Sequence, residues 1–152
     1  GLRQQLRIAG VPVGEEITEG AFRPRESGSI IIVVATDAPL LPHQLKRLAR
    51  RAALGLARNG STAGNGSGDI FIAFSTANEE AARQTSIAPA LMLPNERMNP
   101  LFDATVQASE EAIINALVAA ETMTGQDGHK VIALPHDRLQ QVLKKYNRLT
   151  SK

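Results

Sequence analysis

The sequence predicts an α/β fold with few strands. Two short runs of β-branched and aromatic residues predict strands, and three longer stretches with apolar residues at helical spacing predict helices. The predicted order is strand, helix, strand, helix, helix, which leaves too few strands for a closed sheet. The missing strands are therefore expected in sequence outside these 152 residues or in a partner chain.

The first strand is predicted at Ile30–Val34, because an unbroken β-branched run is typical of a strand that is buried on both faces. Ahead of it the chain lacks long apolar runs, and Gly10–Gly14 and Phe22–Gly28 are interpreted as turns or linker. The second strand, Ile70–Ser75, directly follows the most glycine-rich stretch of the sequence. Each strand is thus expected to begin after a glycine-containing loop.

Three helices are predicted from the spacing of apolar residues. The first runs from about Pro42 to Arg58, with its basic side chains on a solvated face. The second runs from about Leu101 to Met123, and Asn99 is suited to cap it. After a turn at residues 125–128, the third begins near Pro135. Its inward-facing side chains are expected to be Leu139, Val142, Leu143 and Tyr146.

Composition argues against several classes of function. The absence of cysteine rules out thiol catalysis, disulfides and thiolate metal sites, and it leaves the compartment open, with the cytoplasm slightly favoured over the periplasm. A net charge of +2 and 3% aromatic residues do not favour nucleic-acid binding. No apolar run approaches the roughly 20 residues that span a bilayer. His43, His129 and His136 lack metal-ligand spacing, so neither a metal nor a cofactor is expected.

The pair Gly28-Ser29 is the first candidate for chemistry, although a Gly-Ser pair before a strand is by itself usually only a turn. Because glycine has no Cβ, its carbonyl can adopt strained geometry and be approached closely. Attack by the Ser29 hydroxyl would form an ester that water hydrolyses. The product would be an N-terminal serine whose α-amino group, with a pKa of about 8, can act as a general base for its own hydroxyl.

Ser67 and Asp69 are the second candidate. The glycine-rich loop before them lacks the Lys-Ser/Thr pair and the following helix of a phosphate-binding loop. It is either a flexible surface connection or part of a site. Residues two apart on a strand share a face, so both side chains can point at one place. In such a site the acid is hydrogen-bonded to a hydroxyl, and that hydroxyl is hydrogen-bonded to the nucleophile. This relay can orient the nucleophile and stabilise positive charge on its base.

Several motifs carry a resemblance to one enzyme family. Residues 27–42, SGSIIIVVATDAPLLP, closely resemble the start of the small subunit of L-aminopeptidase/D-esterases and β-peptidyl aminopeptidases. The resemblance continues through GSGDIF at 66–71 and FSTAN at 74–78, and extends to ETMTG at 121–125 and LPHDR at 134–138. It therefore covers essentially the whole chain.

The resemblance implies a precursor that cleaves itself between Gly28 and Ser29. Residues 1–28 would be the tail of the large subunit with the processing linker, and residues 29–152 the small subunit. Together they would form part of one domain, an αββα sandwich similar to N-terminal-nucleophile hydrolases but with different connectivity. Ser29 matches the family's nucleophile, Ser67 its second serine and Asp69 its acidic partner, which is glutamate in some members.

The activity implied by the resemblance is release of N-terminal residues, including β- or D-configured ones, from short peptides, amides or esters with a free amine. The implied partners are the large subunit of the same precursor and further copies in a homo-oligomer. Two alternatives stay open. One is an acyltransferase of the ornithine acetyltransferase type, which resembles a threonine-nucleophile pattern and is disfavoured by Ser29. The other is a non-catalytic binding relative of the same fold.

Overall fold

The computed structural model describes residues 2–20, 28–83 and 87–149. Its helices are α1 (Val13–Glu16), α2 (Pro42–Arg58), α3 (Asn99–Ala119) and α4 (His136–Lys145). Its strands are β1 (Ile31–Thr36), β2 (Ile70–Ser75), β3 (Met123–Thr124) and β4 (Lys130–Val131). Short 3-10 turns lie at Arg3–Gln5, Glu79–Ala82, Asn95–Arg97 and Gln126–Gly128. The predicted α/β class is therefore confirmed.

The chain divides into two compact units, each with its own apolar core. The strand unit consists of Ser29–Gly55 and Gly68–Ser109. The terminal unit consists of Gly1–Gly28, Leu56–Ser67 and Glu110–Lys152. The chain therefore passes from one unit to the other four times, after Gly28, Gly55, Ser67 and Ser109.

The strand unit is built on β1 and β2, which pair in parallel with Ile31 opposite Ile70. A parallel pair requires a crossover connection, and α2 lies in that connection. A core of Leu40, Leu48 and Met98, each at most 3% exposed, packs with partly buried side chains from both strands. One face of the strand pair is thereby covered.

The opposite face of the strand pair is open in the described chain. Along both strands, exposed and half-buried residues alternate. The exposed set on this face is Ile31, Val33, Ile70, Ile72 and Phe74, which are 45 to 66% exposed. The prediction that the first strand is buried on both faces is therefore wrong for the described residues. A continuous apolar run indicates that both faces suit burial, but the residues that would cover the second face are not among those described.

The terminal unit has an apolar core that the sequence did not predict at residues 8–17. Its buried members are Ile8, Val11, Val13, Ile17, Leu139 and Val142. Ile8 and Val11 form a β-bridge across a tight turn, where Gly10 has a φ of 77° that glycine adopts readily. The interpretation of residues 10–14 as turn or linker thus holds for Gly10 and Pro12, whereas Val11 is in the bridge and α1 begins at Val13. Of the other predicted linker, residues 22–27 lie outside the described ranges.

Two further expectations for the C-terminal region need correction. α3 ends at Ala119 rather than at Met123, because Met123 pairs with Val131 in a short antiparallel hairpin. Strands of two residues are too short to leave a recognisable sequence pattern. Tyr146, expected to face inward, is 40% exposed, and its hydroxyl donates a hydrogen bond to Glu16 at 2.7 Å.

Candidate active site

Ser29 lies two residues before β1 and is exposed to solvent. Its Oγ accepts a hydrogen bond from the backbone N–H of Gly68 at 2.8 Å. Gly68 in turn lies two residues before β2. Because Ile31 is paired with Ile70 in parallel, the segments that lead into the two strands lie side by side. The strand register therefore explains how Ser29 meets a residue that is 39 positions away.

Asp69 binds the backbone that follows Ser29. Its Oδ1 accepts the N–H of Ile30 at 3.0 Å, and the carbonyl of Ile30 accepts the N–H of Ile70 at 2.9 Å. Both backbone polar groups of Ile30 are thus paired with the start of β2. The structure therefore brings Ser29 and Asp69 to the same edge of the strand pair.

Asp69 also supplies the charge at this edge. It is the only charged side chain in residues 28–36 and 59–75, and it is half-buried. A carboxylate in a partly buried position interacts with an opposite charge more strongly than it would in bulk water. It therefore favours a neighbouring group that becomes positively charged.

Ser67 belongs to the terminal unit, whereas Ser29 and Asp69 belong to the strand unit. Ser67 is half-buried, and its N–H donates to the carbonyl of Gly64 at 2.8 Å, which closes a turn in the glycine-rich loop. The joint action of Ser67 and Asp69 on Ser29 stays a prediction.

The surroundings of Gly28 are open. Gly28 is exposed, and a Cβ added to it would meet no described atom within 4 Å. Apart from the chain neighbours of Gly28, the space where a side chain of residue 28 would lie is therefore open among the described residues.

Gly68 is a site residue that the sequence reasoning missed. Ser67 and Asp69 on either side of it are recognisable by their side chains, whereas Gly68 contacts Ser29 through its backbone N–H. Its position between Ser67 and Asp69, just before a strand, was the only signal in the sequence. A backbone donor carries no residue-type signature, so the strand register was needed to identify it.

No metal site accompanies these residues: within the described ranges, histidine, aspartate and glutamate do not form a group of three or more that could hold an ion. His136 uses its Nε2 to donate to the carbonyl of Val118 at 2.8 Å.

In the same described ranges, no helix is both long enough and apolar enough to cross a membrane.

Several known proteins resemble this chain in sequence and in fold. Residues 1–131 match the family model described as peptidase family S58. Beta-peptidyl aminopeptidase BapA of Sphingosinicella microcystinivorans is 48% identical over 168 aligned residues, which cover 99% of this chain and 42% of that protein. The solved structure of an L-aminopeptidase D-Ala-esterase/amidase from Ochrobactrum anthropi matches with a TM-score of 0.88 and 48% identity, over 99% of this chain and 42% of that chain.

A beta-aminopeptidase from Burkholderia sp. matches with a TM-score of 0.80 and 41% identity, over 95% of this chain and 41% of that chain. The Ochrobactrum protein is described as a prototype for the serine aminopeptidases and as a new variant among the Ntn-hydrolase fold. The likeness confirms that this chain forms part of such a fold. The chain spans about two fifths of the length of these relatives.

Proposed function

This chain belongs to peptidase family S58, and we propose that it is part of a self-cleaving serine aminopeptidase that also acts on amides and esters. Ser29 is the nucleophile, and cleavage of the Gly28–Ser29 bond makes it an N-terminal residue. One observation carries the proposal: the Ser29 Oγ, directly after an exposed glycine, is held at 2.8 Å from the Gly68 N–H beside a paired strand. A fixed hydroxyl next to an accessible carbonyl is what an intramolecular attack requires.

Self-cleavage proceeds by an N-to-O acyl shift. The Ser29 Oγ attacks the carbonyl carbon of Gly28, the bond from that carbon to the Ser29 nitrogen breaks, and the nitrogen takes up the hydroxyl proton to become an amine. Water then hydrolyses the resulting ester, which leaves a carboxylate on Gly28 and restores the Ser29 hydroxyl.

The freed residue then acts on substrates. The α-amine of Ser29 takes the hydroxyl proton while Oγ attacks the substrate's acyl carbon, and it passes that proton to the leaving amine or alcohol. Water then hydrolyses the acyl ester on Oγ, which releases the acid and restores the hydroxyl. Asp69, held close through Ile30, stabilises the protonated amine. Ser67 contributes its hydroxyl to the same relay. Substrates are short peptides, amides or esters with a free N-terminal amine, and they include β- or D-configured residues.

The open face of the strand pair supports a larger partner. Complete burial of one large apolar side chain is worth about 1.5–3 kcal/mol, so covering five half-exposed ones would yield about 1 kcal/mol each. The relatives are more than twice as long as the part that this chain matches. The large subunit of the same precursor covers this face in our proposal, as the second sheet of an αββα sandwich. Assembly of the processed protein into a homo-oligomer belongs to the same proposal.

Intact mass measurement on the full-length protein tests the function. The wild-type protein should yield a fragment that begins at Ser29, whereas Ser29→Ala should remain one chain. Ser61→Ala, the same substitution in the glycine-rich loop, is the matched control and should be cleaved normally. Normal cleavage in Ser29→Ala would rule out the nucleophile assignment, and a wild-type chain that is never cleaved would favour a binding relative.

A further inference from the structure

We propose that Gly68 is a positioning residue for the nucleophile, with two separate contributions. Its N–H fixes the Ser29 oxygen, and its missing side chain leaves the space in which that oxygen lies. This inference rests on the proposed function, because it takes Ser29 to be the nucleophile.

The geometry shows why this position needs glycine. A Cβ built on Gly68 would lie 3.3 Å from the Ser29 Oγ, which is tighter than an ordinary van der Waals contact. Apart from the immediate chain neighbours of Gly68, no other described atom lies within 4 Å of that Cβ. The φ of Gly68 is not in the left-handed region, so other residues could adopt its backbone conformation. Proximity to Ser29, rather than backbone conformation, therefore sets the requirement for glycine.

The N–H of Gly68 fits the chemistry of the Ser29 oxygen. Because Oγ accepts this bond, its own hydrogen stays available for transfer to a base, and a second lone pair stays available for attack. When the ester is hydrolysed, Oγ leaves with developing negative charge until it takes up a proton. A fixed N–H donor stabilises that charge. The same bond thus serves both attack and release.

The backbone around Ser29 is held as firmly as its side chain. Ile30 is bonded through its N–H to Asp69 and through its carbonyl to Ile70. Gly68 is therefore hydrogen-bonded to Ser29, and Asp69 and Ile70 are hydrogen-bonded to Ile30. With the backbone fixed in this way, the Ser29 oxygen has little freedom to evade an added methyl group at Gly68.

Gly68→Ala in the full-length protein tests whether the missing side chain of Gly68 is needed to leave room for the Ser29 oxygen. The N–H is kept and a methyl group is placed against Oγ, so kcat should fall about tenfold or more, with slower appearance of the fragment that begins at Ser29. KM and the urea unfolding midpoint should stay near wild type. Gly66→Ala is the matched control, because Gly66 is exposed in the same loop. A kcat within twofold of wild type in Gly68→Ala would overturn this contribution.

An ester variant tests the N–H itself. Replacing Gly68 by glycolic acid during translation exchanges the N–H for an oxygen and adds no bulk, and kcat should fall by about tenfold to a hundredfold. A normal rate in this variant overturns the N–H contribution, whatever Gly68→Ala shows. If Gly68→Ala does not fold, the ester variant alone decides. Failure of the proposed function looks different, since hydrolysis would then persist in Ser29→Ala.

Discussion

Substitution of Asp69 separates its charge from its role as a hydrogen-bond acceptor. In Asp69→Asn, the side-chain oxygen can still accept the N–H of Ile30, at 3.0 Å in the present structure, but the negative charge is lost. In Asp69→Ala, both are lost. If the carboxylate stabilises the protonated amine of Ser29, kcat should fall by about a hundredfold or more in both variants, which is the scale of a general acid–base element.

The two Asp69 variants should differ in unfolding free energy although both lose kcat. A hydrogen bond to a charged group contributes about 1.5–3 kcal/mol and a neutral one about 0.5–1.5 kcal/mol, so Asp69→Asn should lose about 1 kcal/mol of unfolding free energy. Asp69→Ala leaves the N–H of half-buried Ile30 without this acceptor and should lose about 2 kcal/mol. Urea unfolding measures these differences.

Turnover must be measured on protein that mass spectrometry shows to be cleaved before Ser29. Asp103→Asn, the same charge change on the exposed side of α3, is the control and should keep normal kcat. Near-normal kcat in processed, folded Asp69→Asn would refute the role of the charge and leave Asp69 as a support for the backbone alone. If Ser67 acts in the same relay, Ser67→Ala combined with Asp69→Asn should be scarcely slower than the slower single variant.

Two further predictions concern the substrate and the pH dependence of stability. Acetylating the N-terminal amine of a substrate should remove most activity, and equal rates on blocked and free forms would indicate an endopeptidase or a general esterase instead. Hydrogen bonds from Lys145 and Tyr146 lower the pKa of Glu16 below its usual 4.5, so their contribution to stability is complete above pH 4.5 and is lost as pH falls through the lowered pKa. Urea unfolding as a function of pH should therefore show a weaker acid dependence in Glu16→Gln, while the neighbouring control Glu15→Gln should behave as wild type.

The sequence predicted the elements that are determined by the type and spacing of their own residues. α2 runs over Pro42–Arg58 as expected, because its apolar residues recur at the helical period. β2 occupies Ile70–Ser75, and β1 is shifted by one residue at its start and two at its end relative to the prediction. The hairpin of β3 and β4 was missed because each strand depends on its partner rather than on its own two residues.

The core at residues 8–17 was missed, and residues 10–14 were interpreted as turn or linker, for a similar reason. Their apolar side chains are scattered among glycines and charged residues, and no period marks them as a core. They become buried because α4, more than a hundred positions later in the sequence, packs against them with Leu139 and Val142. A core assembled from distant segments cannot be recognised from either segment alone.

By itself, the sequence determined the α/β class, the main elements and the family resemblance, and it singled out Gly28, Ser29, Ser67 and Asp69 as candidates. These follow from residue type and short-range spacing. Only the tertiary structure decided that the Gly68 N–H meets the Ser29 oxygen, that Asp69 binds Ile30, and that one face of the strand pair stays open. The two contacts depend on the register of two strands whose residues are 39 positions apart, and that register exists only once the strands have paired. The open face depends on which described segments pack against the strand pair, because a continuous apolar run suits burial on both faces.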